Sequence, residues 1–185
     1  MDPDLARVVV VGTSGCGKTT LSRRLGAALD APAVQLDELY WGPGWRPKPE
    51  AQFQRLAAEA AAPARWIIDG NYASVREVVW RRATCVVWLD LAFPVVFWRT
   101  LRRTLRRALT QEPLYAGNRE SLRRGFLSRE SILAWVVTTF RRRRREYHAL
   151  RQSQAYPHLA WVQLRDADAV EHWLTAVAAA LRPTA

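Results

Sequence analysis

Apolar positions along the chain follow two rhythms. Arg7 to Val11 (RVVVV) is an unbroken β-branched run, the composition of a strand buried on both faces. Four more short apolar runs read as strands: AVQL ending at Leu36, RWIID ending at Asp69, TCVVWLDL ending at Leu91, and AWVQL ending at Leu164. Between them the spacing turns helical. LSRRLGAAL places Leu21, Leu25 and Leu29 on one face, and EAQFQRLAAEAAA runs from Glu50 until Pro63 stops it. SVREVVWRRA is a short helix that Ser74 is placed to cap. Pro94 suits the first turn of a long helix reaching about Leu109. Two more helices cover Ser128 to about Gln152 and Asp166 to Leu181, while Tyr40 to Pro49 and Thr110 to Leu127 are irregular. Strands alternating with helices predict a parallel sheet covered on both faces.

The expected architecture is α/β: three layers, five parallel strands, helices on both faces and an arginine-rich helical lid. A chain of 185 residues is sized for one domain, 1–185, with the lid-like segment at about 106–130. On the helix from Pro94, Trp98, Leu101, Leu105 and Leu109 form an apolar stripe, and Arg99, Arg102, Arg103, Arg106 and Arg107 form the other. On the later helix Leu133, Val136, Phe140, Tyr147 and Leu150 share a stripe with Arg143 in its gap. An arginine on a buried face needs a carboxylate or a phosphate.

Composition narrows the class. Hydrophobic residues make up 49% and charged residues 24%, which excludes a disordered chain. Cys16 and Cys85 have neither zinc spacing nor the density of a disulfide framework, and His148, His158 and His172 show no metal spacing. The acidic start MDPDL lacks the pattern of a signal peptide, and Val86 to Trp98 is too short and too interrupted to span a bilayer. A cytoplasmic protein is expected.

The net charge of +11 resides in one stretch. Fourteen arginines stand against three glutamates between Arg99 and Arg145, and the remainder is balanced. Such a field attracts a polyanion: nucleotide phosphates, nucleic acid or an anionic membrane.

The string from Gly12 to Thr19, GTSGCGKT, fits G-x-x-x-x-G-K-[ST] between a strand and a helix. Gly12, Ser14, Gly15, Cys16 and Gly17 would turn backbone N–H groups onto phosphate oxygens at the positive end of the helix, with Thr20 following them. Lys18 would reach the β- and γ-oxygens, and Thr19 would offer its hydroxyl to Mg2+. Cys16, near a helix N-terminus, is either a thiol of lowered pKa or a small space-filler.

Asp37 and Asp69 end the second and third strands, the edge where α/β sheets place ligands. Either could accept an acceptor hydroxyl's proton, and Asp37 could also stand on the metal side. Glu38, next to Asp37 on an extended chain, would face away. Asp90 is either a magnesium-side group or a turn cap. Arg119 and Arg123, four apart between the two long helices, could close over the triphosphate as a lid does, together with Arg143. Trp41 and Trp45 either line an acceptor pocket or pin their loop.

GTSGCGKTTLSRRL, LDELYWGPGW, WIIDGNY and AGNRES, in this order and followed by VQLRDADAVEHWL, resemble the adenylate-kinase-related P-loop kinases labelled DNA topology modulation proteins. The resemblance implies a nucleotide-kinase-like core, ATP as donor, Mg2+ and an arginine-bearing lid. It also implies that Asp37 stands where shikimate- and gluconate-type kinases put an acceptor-side or magnesium-side aspartate. Adenylate kinases proper continue D-G-F-P-R after the third strand; Asp69-Gly70-Asn71-Tyr72 lacks that arginine, which argues against AMP as acceptor.

The function expected is an ATP-dependent phosphotransferase acting on a small molecule or nucleotide. The alternative is a nucleotide-dependent nucleic-acid binder using the arginine segment, although no helix-turn-helix, RNP or zinc module is present. The absence of N-K-x-D argues against a guanine-specific switch.

Overall fold

The computed structural model describes residues 3–119, 132–153 and 155–181. Strand β1 (Arg7–Gly12) runs through the middle of the sheet, Val8 and Val10 facing one core and Val9 and Val11 the other. Successive side chains of a strand point to opposite faces, so a run with no polar position has to be covered twice. Strands β3 (Trp66–Asp69) and β4 (Cys85–Leu89) flank it, with β2 (Ala33–Gln35) and β5 (Ala160–Leu164) at the edges. The order is β2-β3-β1-β4-β5 and every pairing is parallel. Registers Val10↔Asp69, Gln35↔Asp69 and Gly12↔Leu89 bring Gly12, Gln35, Asp69 and Leu89 to one edge of the sheet. Chain order diverges on either side of β1, which makes that edge the switch point where open α/β sheets take ligands.

Helices α1 (Lys18–Leu29) and α7 (Ala167–Ala180) cover one face through Leu21, Leu25, Leu29, Leu174 and Val177. The Asp166 side chain caps α7 by accepting the Ala169 N–H at 2.7 Å. Helices α3 (Glu50–Ala60) and α4 (Arg76–Trp80) cover the other face through Phe53, Ala57, Val79 and Trp80. Trp66 is fully buried, with its indole N–H satisfied by the Ala61 carbonyl at 3.0 Å. Helix α6 (Ile132–Gln152) serves both interiors, with Val136 and Phe140 in the first core and Tyr147 in the second. It packs on α5 (Phe93–Thr110), where the rings of Phe93 and Phe140 meet edge to face at 5.2 Å.

The elements depart from sequence expectation in three places. Strand β2 stops at Gln35, and the chain turns at once into a short helix α2 (Leu36–Tyr40). Glu38 therefore does not face away, and its carboxylate accepts from Gln35 Nε2 at 2.7 Å. Ser74 caps nothing: it lies in a 3₁₀ turn, α4 starts after Val75, and no side chain caps it. The third departure concerns α5, whose buried positions are Val96, Thr100, Thr104 and Ala108, while Trp98 is 60% and Leu109 74% exposed. At Val96 and Thr100 the inner face of α5 lies against the phosphate loop. A Cβ added to Gly15 would already meet Thr100 Oγ1 at 2.0 Å.

Of the segment 106–130, residues to Thr110 complete α5 and the chain then makes a compact turn over 113–119. Among the described residues no helix is long and apolar enough to cross a membrane.

Candidate functional site

Strand β1 delivers the loop and α1 receives it, with Gly12, Gly15 and Gly17 at φ 145°, 84° and 103°. That left-handed region favours glycine, so the G-x-x-x-x-G spacing is a backbone requirement here. Lys18 Nζ donates to the carbonyls of Gly12 at 3.0 Å and Thr13 at 3.3 Å, folding its charge over the loop. Cys16 is 2% exposed, and burial pushes its thiol pKa up, which decides between the two readings of this position. The desolvation of a thiolate outweighs Lys18 and the helix end, leaving Cys16 the space-filling role. Ser14 is half-buried and Thr20 is exposed.

Asp69 is 2% exposed and sits between Lys18, Thr19 and Asp37. Burial raises its pKa to about 6 against the opposing charge of Lys18. Its Oδ2 makes no well-formed hydrogen bond among the described residues, although the hydroxyls of Thr19 and Ser22 lie close enough to hold its pKa down. Thr19 Oγ1 donates to Gln35 Oε1 at 3.3 Å. Asp37, on α2, accepts a hydrogen bond from Tyr72 Oη at Oδ1. Burial, with Asp37 next to it, pushes the phenol of Tyr72 far above its ordinary value, so Tyr72 stays a donor.

These oxygens fit a divalent cation. Among the described residues no three His, Cys, Asp or Glu groups gather to hold a metal unaided. Mg2+ keeps several waters and phosphate oxygens and needs only one or two carboxylates from the protein. Thr19 Oγ1, Asp69 Oδ2 and Asp37 are the available donors.

The arginines nearest the loop are not those singled out from the sequence. Arg99 Nη1 donates to the Cys16 carbonyl at 3.4 Å, and Arg103 Nη2 to Ser14 Oγ at 3.3 Å. Thr100, between them, donates to the Ser14 carbonyl at 3.2 Å. Arg107 follows one turn later, close enough to act on the phenol of Tyr115. The sequence signal was present as an i, i+4, i+8 arginine ladder, but periodicity does not say which flank meets the loop. Arg143 finds a carboxylate, Glu146, at 3.1 Å, which also holds Arg76. Arg119 is exposed, and Arg123 lies outside the described residues. Asp90 is taken up by Arg144 at 2.9 Å and by Gln163 Nε2 at 2.8 Å.

Two asparagines were also missed. Asn71 Oδ1 accepts from Gly12 N–H at 3.3 Å, its Nδ2 donates to the Gly12 carbonyl at 2.7 Å, and Tyr147 Oη donates to the same Oδ1 at 2.7 Å. Asn118, 6% exposed, fastens the loop after α2. Trp41 and Trp45 meet edge to face at 5.6 Å, and hydrogen bonds from the backbone and indole of Trp45 pin the loop. His148 packs edge-on against Trp88, and His158 lies 3.2 Å from the Trp80 carbonyl.

The fold is shared with solved kinase structures. A shikimate kinase from Bacteroides thetaiotaomicron aligns with 95% of this chain and 98% of its own, at 19% identity and TM-score 0.55. A gluconokinase from Sinorhizobium meliloti 1021 aligns over 97% and 95%, at 16% identity and TM-score 0.54. A shikimate kinase from Acinetobacter baumannii, in complex with shikimate, aligns over 95% and 92%, at 17% identity and TM-score 0.51. No protein-family model matches the chain, and no curated protein matches its sequence. At these identities the likeness shows the fold: the five-stranded, three-layer α/β architecture of P-loop kinases.

Proposed function

We propose that this chain is an ATP- and Mg2+-dependent phosphotransferase that moves the γ-phosphoryl group to a hydroxyl of a small molecule. The observation carrying the proposal is the buried Asp69 carboxylate beside Lys18 and Thr19 at the mouth of the phosphate loop, its Oδ2 held by no well-formed hydrogen bond among the described residues. A buried carboxylate oxygen of this kind costs stability unless a cation or donor meets it in the working state. The likeness to shikimate kinases and a gluconokinase supports an acceptor of that size.

The loop N–H groups and Lys18 would bind the β- and γ-phosphates, with Lys18 Nζ leaving the carbonyls of Gly12 and Thr13 for phosphate oxygens. Thr19 and Asp69 would hold Mg2+, which would neutralise charge on the phosphates. Arg99 and Arg103 line the loop from α5 and would take charge on the transferring group. Tyr72 occupies Asp37 Oδ1, which leaves Oδ2 for the acceptor. The acceptor oxygen bonds to the γ-phosphorus as the bond to the bridging oxygen breaks. Its proton passes to Asp37 Oδ2, and ADP departs with the electron pair. Arg119 and Arg123 are proposed to approach from the lid side. Arg143 pairs with Glu146 along α6, and Glu146 also takes Arg76 of α4.

The narrower kinship with DNA topology modulation proteins rests on the strings WIIDGNY and AGNRES. Their asparagines, Asn71 and Asn118, hold the phosphate loop and the loop after α2.

The test is ADP release from Mg2+·ATP across a panel of nucleosides, nucleotides, sugars, polyol acids and aminoglycosides. One acceptor should stimulate release, and Lys18→Ala should lower that turnover by about a thousandfold or more without unfolding the protein. Stimulation that survives in Lys18→Ala sinks the mechanism. A flat panel with confirmed ATP binding turns the test to salt-dependent DNA and RNA titration.

A further inference from the structure

Two short loops near Asp37 are fastened together by one buried carboxamide. Asn118 Nδ2 donates to the Gly42 carbonyl at 2.9 Å and to the Tyr115 carbonyl at 2.7 Å, and its Oδ1 accepts the Trp45 N–H at 3.0 Å. Trp45 Nε1 adds a bond to the Arg119 carbonyl at 3.3 Å. Trp45 holds φ +58°, a left-handed conformation that costs a bulky residue about 1 kcal/mol and persists only where surrounding bonds impose it. The loop carrying Trp41 and Trp45 is thus built onto the turn over 113–119.

The same turn reaches the metal side. Tyr115 Oη donates to Gln35 Oε1 at 3.2 Å, the oxygen that also accepts from Thr19 Oγ1. Gln35 Nε2 in turn holds Glu38 on α2, the element that leads into the tryptophan loop. A continuous set of directional bonds therefore runs Thr19–Gln35–Tyr115, through the turn, to Asn118 and Trp45. Gln35 Oε1 is shared between two hydroxyls at long distances, and losing one would let the other shorten.

We propose that Tyr115 and Asn118 are positioning residues that report donor occupancy to the acceptor side. When Mg2+·nucleotide binds, Thr19 Oγ1 turns from Gln35 toward the cation. Gln35 Oε1 is left to Tyr115 alone, and the turn and the tryptophan loop shift together through Asn118. The acceptor wall is thereby set by a filled donor site, which orders binding as donor first. This inference rests on the kinase reading above.

Intrinsic fluorescence tests it, with the difference between the full chain and Trp45→Phe isolating the Trp45 signal. Titration with Mg2+ and a non-hydrolysable ATP analogue should change Trp45 emission, and calorimetry on the same samples should report the affinity. Tyr115→Phe removes one hydroxyl; it should keep the affinity within about threefold and lose the emission change. Asn118→Ala should lose it too, with melting temperature checking that the variant is folded. Nucleotide binding with a silent Trp45, or a full response in Tyr115→Phe, overturns the relay and leaves the kinase reading standing. Failure of the wild-type chain to bind the nucleotide overturns both.

Discussion

Asn71 grips Gly12 by both halves of its backbone, accepting from its N–H and donating to its carbonyl at 2.7 Å. Tyr147 Oη donates to the same carboxamide, so the end of β1 is tied through Asn71 to α6. Lys18 Nζ rests on that same Gly12 carbonyl, which makes Asn71 the fixed side of the phosphate cradle. Asn71→Ala should weaken nucleotide binding about tenfold, the equivalent of one or two neutral hydrogen bonds. Asn71→Asp should be worse, because a carboxylate oxygen then faces the Gly12 carbonyl. Calorimetric titration of ATP into the three proteins checks the order.

Asp69 sets function against stability. Its pKa is raised from 3.8 to about 6 by burial, so the unfolded chain binds fewer protons than the folded one across that window. Stability from this group is present below about 4 and lost as pH rises through about 6. Asp69→Asn should therefore melt higher than the wild type at pH 7, by on the order of 2 kcal/mol, and lose that advantage near pH 4. The same variant should abolish Mg2+-dependent transfer. A variant less stable than wild type at pH 7 would show that the carboxylate is already compensated.

Arg103 and Arg143 should part company. Arg103→Ala removes a charge beside Ser14 and should lower nucleotide affinity or turnover by about tenfold or more. Arg143→Ala leaves Glu146 with Arg76 alone and should cost about 1–2 kcal/mol of stability with nucleotide affinity unchanged. Denaturant melts beside ATP titrations separate the two; an affinity loss in Arg143→Ala would restore its role at the phosphates.

Arg144 guards a buried carboxylate just past the end of β4. Asp90 has a side chain 3% exposed, and Arg144 is 48% exposed above it. Arg144→Ala should destabilise by about 1–3 kcal/mol, the solvent side of the pair softening the loss. Gln163 still reaches Asp90 and should keep the fold intact, which circular dichroism would show.

The strands, the parallel sense of their pairing and the phosphate loop were legible from local patterns and their alternation with helices: valine runs, glycine spacing, a lysine before two threonines. The face of α5 was not. Its periodicity separates an apolar stripe from an arginine stripe, yet the buried line is Val96, Thr100, Thr104 and Ala108. Gly15, far away in sequence, meets Thr100 on that line, a contact that periodicity along the helix cannot show. Asp69 was visible from its place at the end of β3, whereas Asp37 stands on α2, two residues past the end of β2. Asn71 and Asn118 were hidden because an amide in a turn has the same appearance whether it meets solvent or a distant backbone. Glu38 was misplaced by a single residue's difference in where β2 ends, since a helical turn and an extended chain aim neighbouring side chains differently.

Helix α6 leaves neither half of the interior independent. With Val136 and Phe140 seated on one side of the sheet and Tyr147 on the other, it works as a rivet through both layers. Lifting it would wet both interiors at once and release Asn71 from above the phosphate loop. Heat would then meet a single indivisible object, and nucleotide held at the loop would clamp even its remotest helix.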